Sequence, residues 1–151
     1  MVQELAYDWE NLAASVADQE QQLNTNQLRA YNCILDRLSN DPCHAHFFLH
    51  GASGTGKTFL YITLCECLQS EGKIILCVAS TGIASLLLSG SRTAHKWFKI
   101  PIDVSDSSTC FIQQRTHLAE LICNTSLIIW DETPMTKKTV FDAVDRTLRD
   151  I

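Results

Sequence analysis

Residues 50–61, HGASGTGKTFLY, decide the fold of this chain. Within them, Gly51 to Thr58 has the spacing G-x-x-x-x-G-K-T. Glycines at those positions let the backbone curl, so that successive N–H groups point inward at an anion. A helix opening near Lys57 would turn its positive dipole end on the same anion. Lys57 then adds a point charge at the β- and γ-phosphates of a nucleoside triphosphate, and the Thr58 hydroxyl is placed to ligate Mg²⁺. A glycine-rich turn that only links strand to helix is the plainer reading. It is disfavoured because both flanks have the required character.

The apolar run HFFLH, residues 46–50, reads as a buried strand. After the loop, Leu60, Leu64 and Leu68 recur at four-residue spacing on a helix from Thr58 to Ser70. Upstream, LNTNQLRAYNCILDRLSNDP predicts a helix capped by Asn24 or Thr25, with Leu28, Tyr31, Ile34, Leu35 and Leu38 on one face and a stop at Asn40-Asp41-Pro42. Downstream, KIILCVAS (73–80) reads as a second buried strand and GIASLLLSG (82–90) as a short helix closed by Gly90. A less regular segment from Ser91 to Ser108 follows. HLAELICNTS (117–126) predicts a helix leading into a third strand, SLIIWDE (126–132). Phe141, Val144, Leu148 and Ile151 mark a last amphipathic helix. Apolar strands alternating with helices predict a parallel sheet in an α/β layer fold.

LIIWDE, residues 127–132, is an apolar strand ending in two acids. A carboxylate at the tip of a parallel strand faces the crevice in which such sheets bind ligands. Asp131 is assigned to Mg²⁺, through a water, and Glu132 to orienting or deprotonating the attacking water. Two consecutive acids favour hydrolysis over simple binding, which needs only the first.

Composition sets the outer bounds. The 151 residues are one domain's worth of chain, and 46% hydrophobic with 19% charged residues is globular. A net charge of −5 excludes a wholesale nucleic-acid sponge. Charge is unevenly placed: Glu4, Asp8, Glu10, Asp18 and Glu20 give an acidic N-terminal segment, residues 1–21, read as a peripheral loose helix. From Gly72 to Ile102 there is no acid, while Lys73, Arg92, Lys96 and Lys99 supply positive charge, so a phosphate backbone is sought there first. Seven cysteines and five histidines raise a metal site. Cys43, His44 and His46 form the best cluster but lack a fourth ligand at zinc spacing, and reduced, mostly buried thiols are the better reading. No apolar run is long enough to span a membrane, and no secretory or mitochondrial leader is visible.

The order of LNTNQ, GASGTGKTFLY, ASTGIASLLLSGSRTAHKWFKIP and LIIWDETPM resembles the Pif-type DNA helicases, a RecD-like branch of superfamily one. The resemblance covers residues 22–151, and the long middle string is its most specific element. It implies a partial RecA-like P-loop NTPase domain of three layers, truncated before the central sensor-motif strand and lacking the second motor domain. It implies an ATP- and Mg²⁺-dependent motor moving 5′ to 3′ on single-stranded DNA, intracellular, in nucleus or mitochondrion, with roles in repair and recombination. By position, Gln27 matches the glutamine that reads adenine. The nucleotide is assigned Gly51, Ala52, Ser53, Gly54, Thr55, Gly56, Lys57, Thr58 and Phe59; Lys57 and Glu132 are catalytic, and Thr58 and Asp131 hold the metal. Single-stranded DNA is assigned Ser80, Thr81, Gly82, Thr93, His95 and Lys96, with Phe98 and Lys99 nearby as stacking and charged groups. Ala52 and Ser53 stand where proline and glycine are common in the family, and SGSR (89–92) replaces a more glycine-rich turn. A chain of this extent is expected to bind nucleotide weakly, hydrolyse little and unwind nothing without a partner chain or the rest of the motor. An ATP-binding regulatory module, or an inactive fragment from a mobile element, fits the same residues.

Overall fold

The structure is a computed structural model that describes residues 9–41, 45–82 and 92–151. Residues 83–90 of the predicted helix 82–90, and the pair Cys43 and His44, lie outside the described residues. The chain forms two compact units, residues 2–73 and 74–151.

The first unit is helical. Helix α1 spans Trp9–Gln22, α2 Thr25–Asn40 and α3 Lys57–Ser70. Asn24 caps α2: its side chain accepts from the N–H groups of Asn26 and Gln27, while the Gln27 side chain accepts from the N–H of Asn24. This reciprocal box satisfies N–H groups that a helix start otherwise leaves open. The core joins Leu23, Tyr31 and Ile34 to Leu60 and Leu64, the stripe predicted for α3. The segment read as peripheral docks on α3. Glu66 accepts from Ser15 Oγ at 2.7 Å and from Gln19 Nε2 at 2.9 Å, and Val16 is buried. Tyr31 donates to Glu20 at 2.7 Å, and burial first, then its bonds to Cys67 and Glu20, push its phenol above the usual range.

Residues 46–50 are not a strand. They carry no regular structure, Phe48 is 77% exposed, and only Leu49 of the run packs on the core. An extended segment is fixed by its ladder partners, and among the described residues nothing pairs with this one.

The second unit holds a parallel three-stranded sheet in the order β2-β1-β3, with β1 Ile74–Ala79, β2 Arg92–Thr93 and β3 Thr125–Asp131. All six β1 residues are buried, as a central parallel strand requires. Strand β3 is less covered, with only Ile129 fully buried. Short helix α4 (Ala94–Trp97), α5 (His117–Cys123) and α6 (Lys138–Asp150) complete the unit. Helix α6 buries Val140, Ala143, Val144 and Thr147, one stripe at helical spacing. Leu76 and Val78 of β1 pack with Trp97, Phe98, Ile122, Val140 and Val144. The irregular segment is pinned to α6: Thr147 Oγ1 accepts from the Cys110 N–H at 2.8 Å, and Arg146 donates twice to the Ser108 carbonyl. No helix among the described residues is long and apolar enough to cross a membrane.

Candidate functional site

The residues assigned to phosphate lie in the first unit. Gly51–Gly56 form a turn and α3 opens at Lys57, with Gly56 as its N-cap at φ 78°, ψ 27° and no side-chain cap. Gly54 also has φ 78°. The helix start thus keeps its first N–H groups free of any capping side chain, which suits an anion. Lys57 Nζ donates to the carbonyls of Gly51 at 2.7 Å and Ala52 at 3.0 Å, and Thr55 Oγ1 donates to Ala52 O at 2.8 Å. Thr58 and Phe59 are half-buried on the first turn of α3. Ala52 and Ser53 are exposed at the tip of the loop.

Gln27, matched to the adenine reader, is tied to this loop. Its Nε2 donates to Thr55 O at 3.1 Å and Gly56 O at 3.2 Å, while its Oε1 closes the capping box of α2. One amide therefore fixes both the start of α2 and the end of the phosphate loop. A Cβ at Gly56 would stand 2.4 Å from Gln27 Nε2, whereas a Cβ at Gly54 meets nothing within 4 Å. Gly54→Ala is expected to cost only the left-handed strain, about 1–2 kcal/mol. Gly56→Ala adds the displaced amide and the lost cap, about 1 kcal/mol more. Paired thermal melts of the two variants check this; equal melting temperatures would contradict it.

The two acids lie in the second unit. The parallel register pairs Ala79 with Asp131, so Ser80 follows beside Glu132 at the C-terminal tips of β1 and β3. Glu132 is exposed and takes the left-handed backbone, φ 52°, ψ 40°. That conformation costs a non-glycine residue about 1–2 kcal/mol. It is held from both ends. The Glu132 N–H donates to Asp131 Oδ1 at 2.9 Å, and its carbonyl accepts from Ser80 Oγ at 2.8 Å and from the Met135 N–H at 3.1 Å.

The residues assigned to DNA are in the same unit. Ser80 and Thr81 are half-buried and Gly82 exposed. Thr93 ends β2 and precedes α4, on which His95 and Lys96 are exposed. Arg92 lies over the Trp97 ring, 5.3 Å from its centroid. Phe98 is not available for stacking on bases: it is 1% exposed and stacks on Trp130 at 5.8 Å. The apolar core took this aromatic, because an α4 of one turn must bury something to stay docked. His46 is exposed, and among the described residues no three His, Cys, Asp or Glu side chains group to hold a metal ion.

A glycine-bent loop opening a helix and a parallel sheet ending in paired acids define a partial RecA-like α/β domain of the P-loop class. The sequence profile described as PIF1-like helicase matches residues 22–151, and the chain belongs to that family. It is similar to an ATP-dependent DNA helicase PIF1 of Trypanosoma brucei brucei, 32% identical over 103 residues, which is 68% of this chain and 10% of the relative. It is similar to an ATP-dependent DNA helicase Pif1 of Campylobacter jejuni, 26% identical over 123 residues, 77% of this chain and 27% of the relative. A third relative, the ATP-dependent DNA helicase PIF4 of T. brucei brucei, is 27% identical over 131 residues, 84% of this chain and 15% of the relative. The chain thus spans between 10% and 27% of the length of these relatives.

Proposed function

We propose that this chain is the nucleotide-binding part of an ATP-dependent DNA helicase, coupling Mg-ATP hydrolysis to 5′-to-3′ movement on single-stranded DNA. The observation that carries the reading is the phosphate loop: Gly54 and Gly56 in the left-handed region lead into an α3 start with no side-chain cap, inside a match that spans residues 22–151. Lys57 exchanges its two loop carbonyls for phosphate oxygens, which bind an ammonium more strongly because the bond is charge-assisted. Thr58 and Asp131 are oxygen donors of the kind that suits magnesium. Magnesium, when bound with the nucleotide, offsets phosphate charge. Glu132 orients the attacking water and takes its proton. Thr81, Gly82, Thr93, His95 and Lys96 meet the DNA strand, with Lys96 on its phosphates. Repair and recombination roles, and a nuclear or mitochondrial location, are proposed on the family resemblance alone.

The test is ATP hydrolysis by this chain with and without single-stranded DNA. Turnover stimulated by DNA supports the motor. Nucleotide binding indifferent to DNA supports a regulatory nucleotide-binding module instead.

A further inference from the structure

We infer that Ser80 is a positioning residue for Glu132 rather than a contact to DNA. The inference rests on the helicase reading, in which Glu132 handles the attacking water.

The hydroxyl of Ser80 is fully committed. A serine has one O–H to give and two lone pairs to offer. The carbonyls of Glu132, at 2.8 Å, and Asp131, at 3.3 Å, only accept, so the hydrogen goes to them. The indole Nε1–H of Trp130, at 3.2 Å, only donates and takes one lone pair. The Thr136 hydroxyl, at 2.6 Å, takes the other. Nothing on that oxygen is left for a phosphate.

What these bonds hold is the left-handed Glu132. Its carbonyl is gripped by Ser80 and its N–H by Asp131, so the Cα–Cβ direction from which the carboxylate extends follows from a backbone state it would not adopt alone. Trp130 fixes Ser80 in turn. Its ring stacks on Phe98 at 5.8 Å and lies against Phe141 at 4.4 Å. The chain of contacts runs from the core through Trp130 and Ser80 to Glu132. Ser80 is also the residue before Thr81 and Gly82, so a strand held there would pull on the same serine. Ser80 thereby links the DNA-facing tip of β1 to the acid at the tip of β3.

The test is nuclear magnetic resonance on the full chain, following the Trp130 indole N–H, assigned with Trp130→Phe, and the Glu132 amide. Ser80→Ala is expected to shift both signals and speed their hydrogen exchange by about tenfold or more. Ser80→Thr, which keeps the hydroxyl, restores them. Thr136→Val, which removes one partner and leaves Ser80 in place, moves the same signals less and serves if Ser80→Ala does not fold. Affinity for a labelled oligo(dT) is expected to stay within about twofold in Ser80→Ala, because no phosphate contact is lost. ATP turnover falls by about tenfold or more with KM for ATP unchanged, the mark of a lost transition-state group. Signals that stay put in both Ser80→Ala and Thr136→Val overturn the inference. So does oligo(dT) binding about tenfold weaker in Ser80→Ala, which would make Ser80 a DNA contact. If the unmodified chain turns over no ATP, as expected of this extent of motor, Mg-ATP binding and its loss in Lys57→Ala test the helicase reading, and the two resonances still decide the role of Ser80.

Discussion

Lys57→Ala is expected to leave the chain folded and to weaken Mg-ATP binding by about 10- to 100-fold. The two halves of that expectation have separate causes. A charge-assisted bond from an ammonium to a phosphate oxygen is worth about 1.5–3 kcal/mol, and about 1.4 kcal/mol is tenfold in affinity. In the structure the same ammonium serves the carbonyls of Gly51 and Ala52. Ala52 is exposed, so water replaces the lost partner there and stability changes by less than about 1 kcal/mol. Isothermal titration with Mg-ATP, beside a thermal melt, reads both. Unchanged affinity would remove Lys57 from the site. An affinity loss matched by a collapse in melting temperature would mean that the lysine only holds the loop together.

Glu132→Gln is expected to separate binding from chemistry. The amide keeps the size of the side chain and leaves the backbone bonds to Asp131 and Ser80 untouched. It cannot accept a proton, so turnover should fall by about 10²- to 10⁴-fold, the usual worth of a general base. Nucleotide affinity is expected to stay within a few-fold. Phosphate release under saturating ATP, with DNA present, measures the first, and nucleotide titration the second. A variant that keeps its turnover would move the water-activating role to another residue.

The elements were legible where the pattern was long. The α3 stripe of Leu60, Leu64 and Leu68 is buried as its spacing demands, and β1 is apolar because both its faces are covered. The bend of the loop was legible because its glycines have a backbone reason, visible in the positive φ of Gly54 and Gly56. Asn24 and Gln27 already spell a capping box, N-x-x-Q, so the engagement of Gln27 with its own helix was there to read. That the same amide also reaches Thr55 and Gly56, 28 and 29 residues on, is a tertiary fact with no local signal. The strand read at HFFLH failed because an apolar run states a preference and not a partner. Phe98 was misplaced for a related reason: alternation of charge and aromatics looks alike on a DNA groove and on a one-turn helix whose aromatic side is core. The Ser80 cluster required the pairing of Ala79 with Asp131, a register that only the folded sheet supplies.

Helix α1 gives the family border a physical meaning. The family match begins at residue 22, at the end of α1, yet Glu66 on the phosphate-loop helix has its two side-chain donors, Ser15 and Gln19, before that point. Tyr31 likewise finds Glu20 there. A chain cut at residue 22 would leave a carboxylate and a buried phenol on family elements short of those partners, and would uncover the apolar side that Val16 helps to close. The stretch that matches the family profile and the stretch that packs on α3 therefore start at different residues.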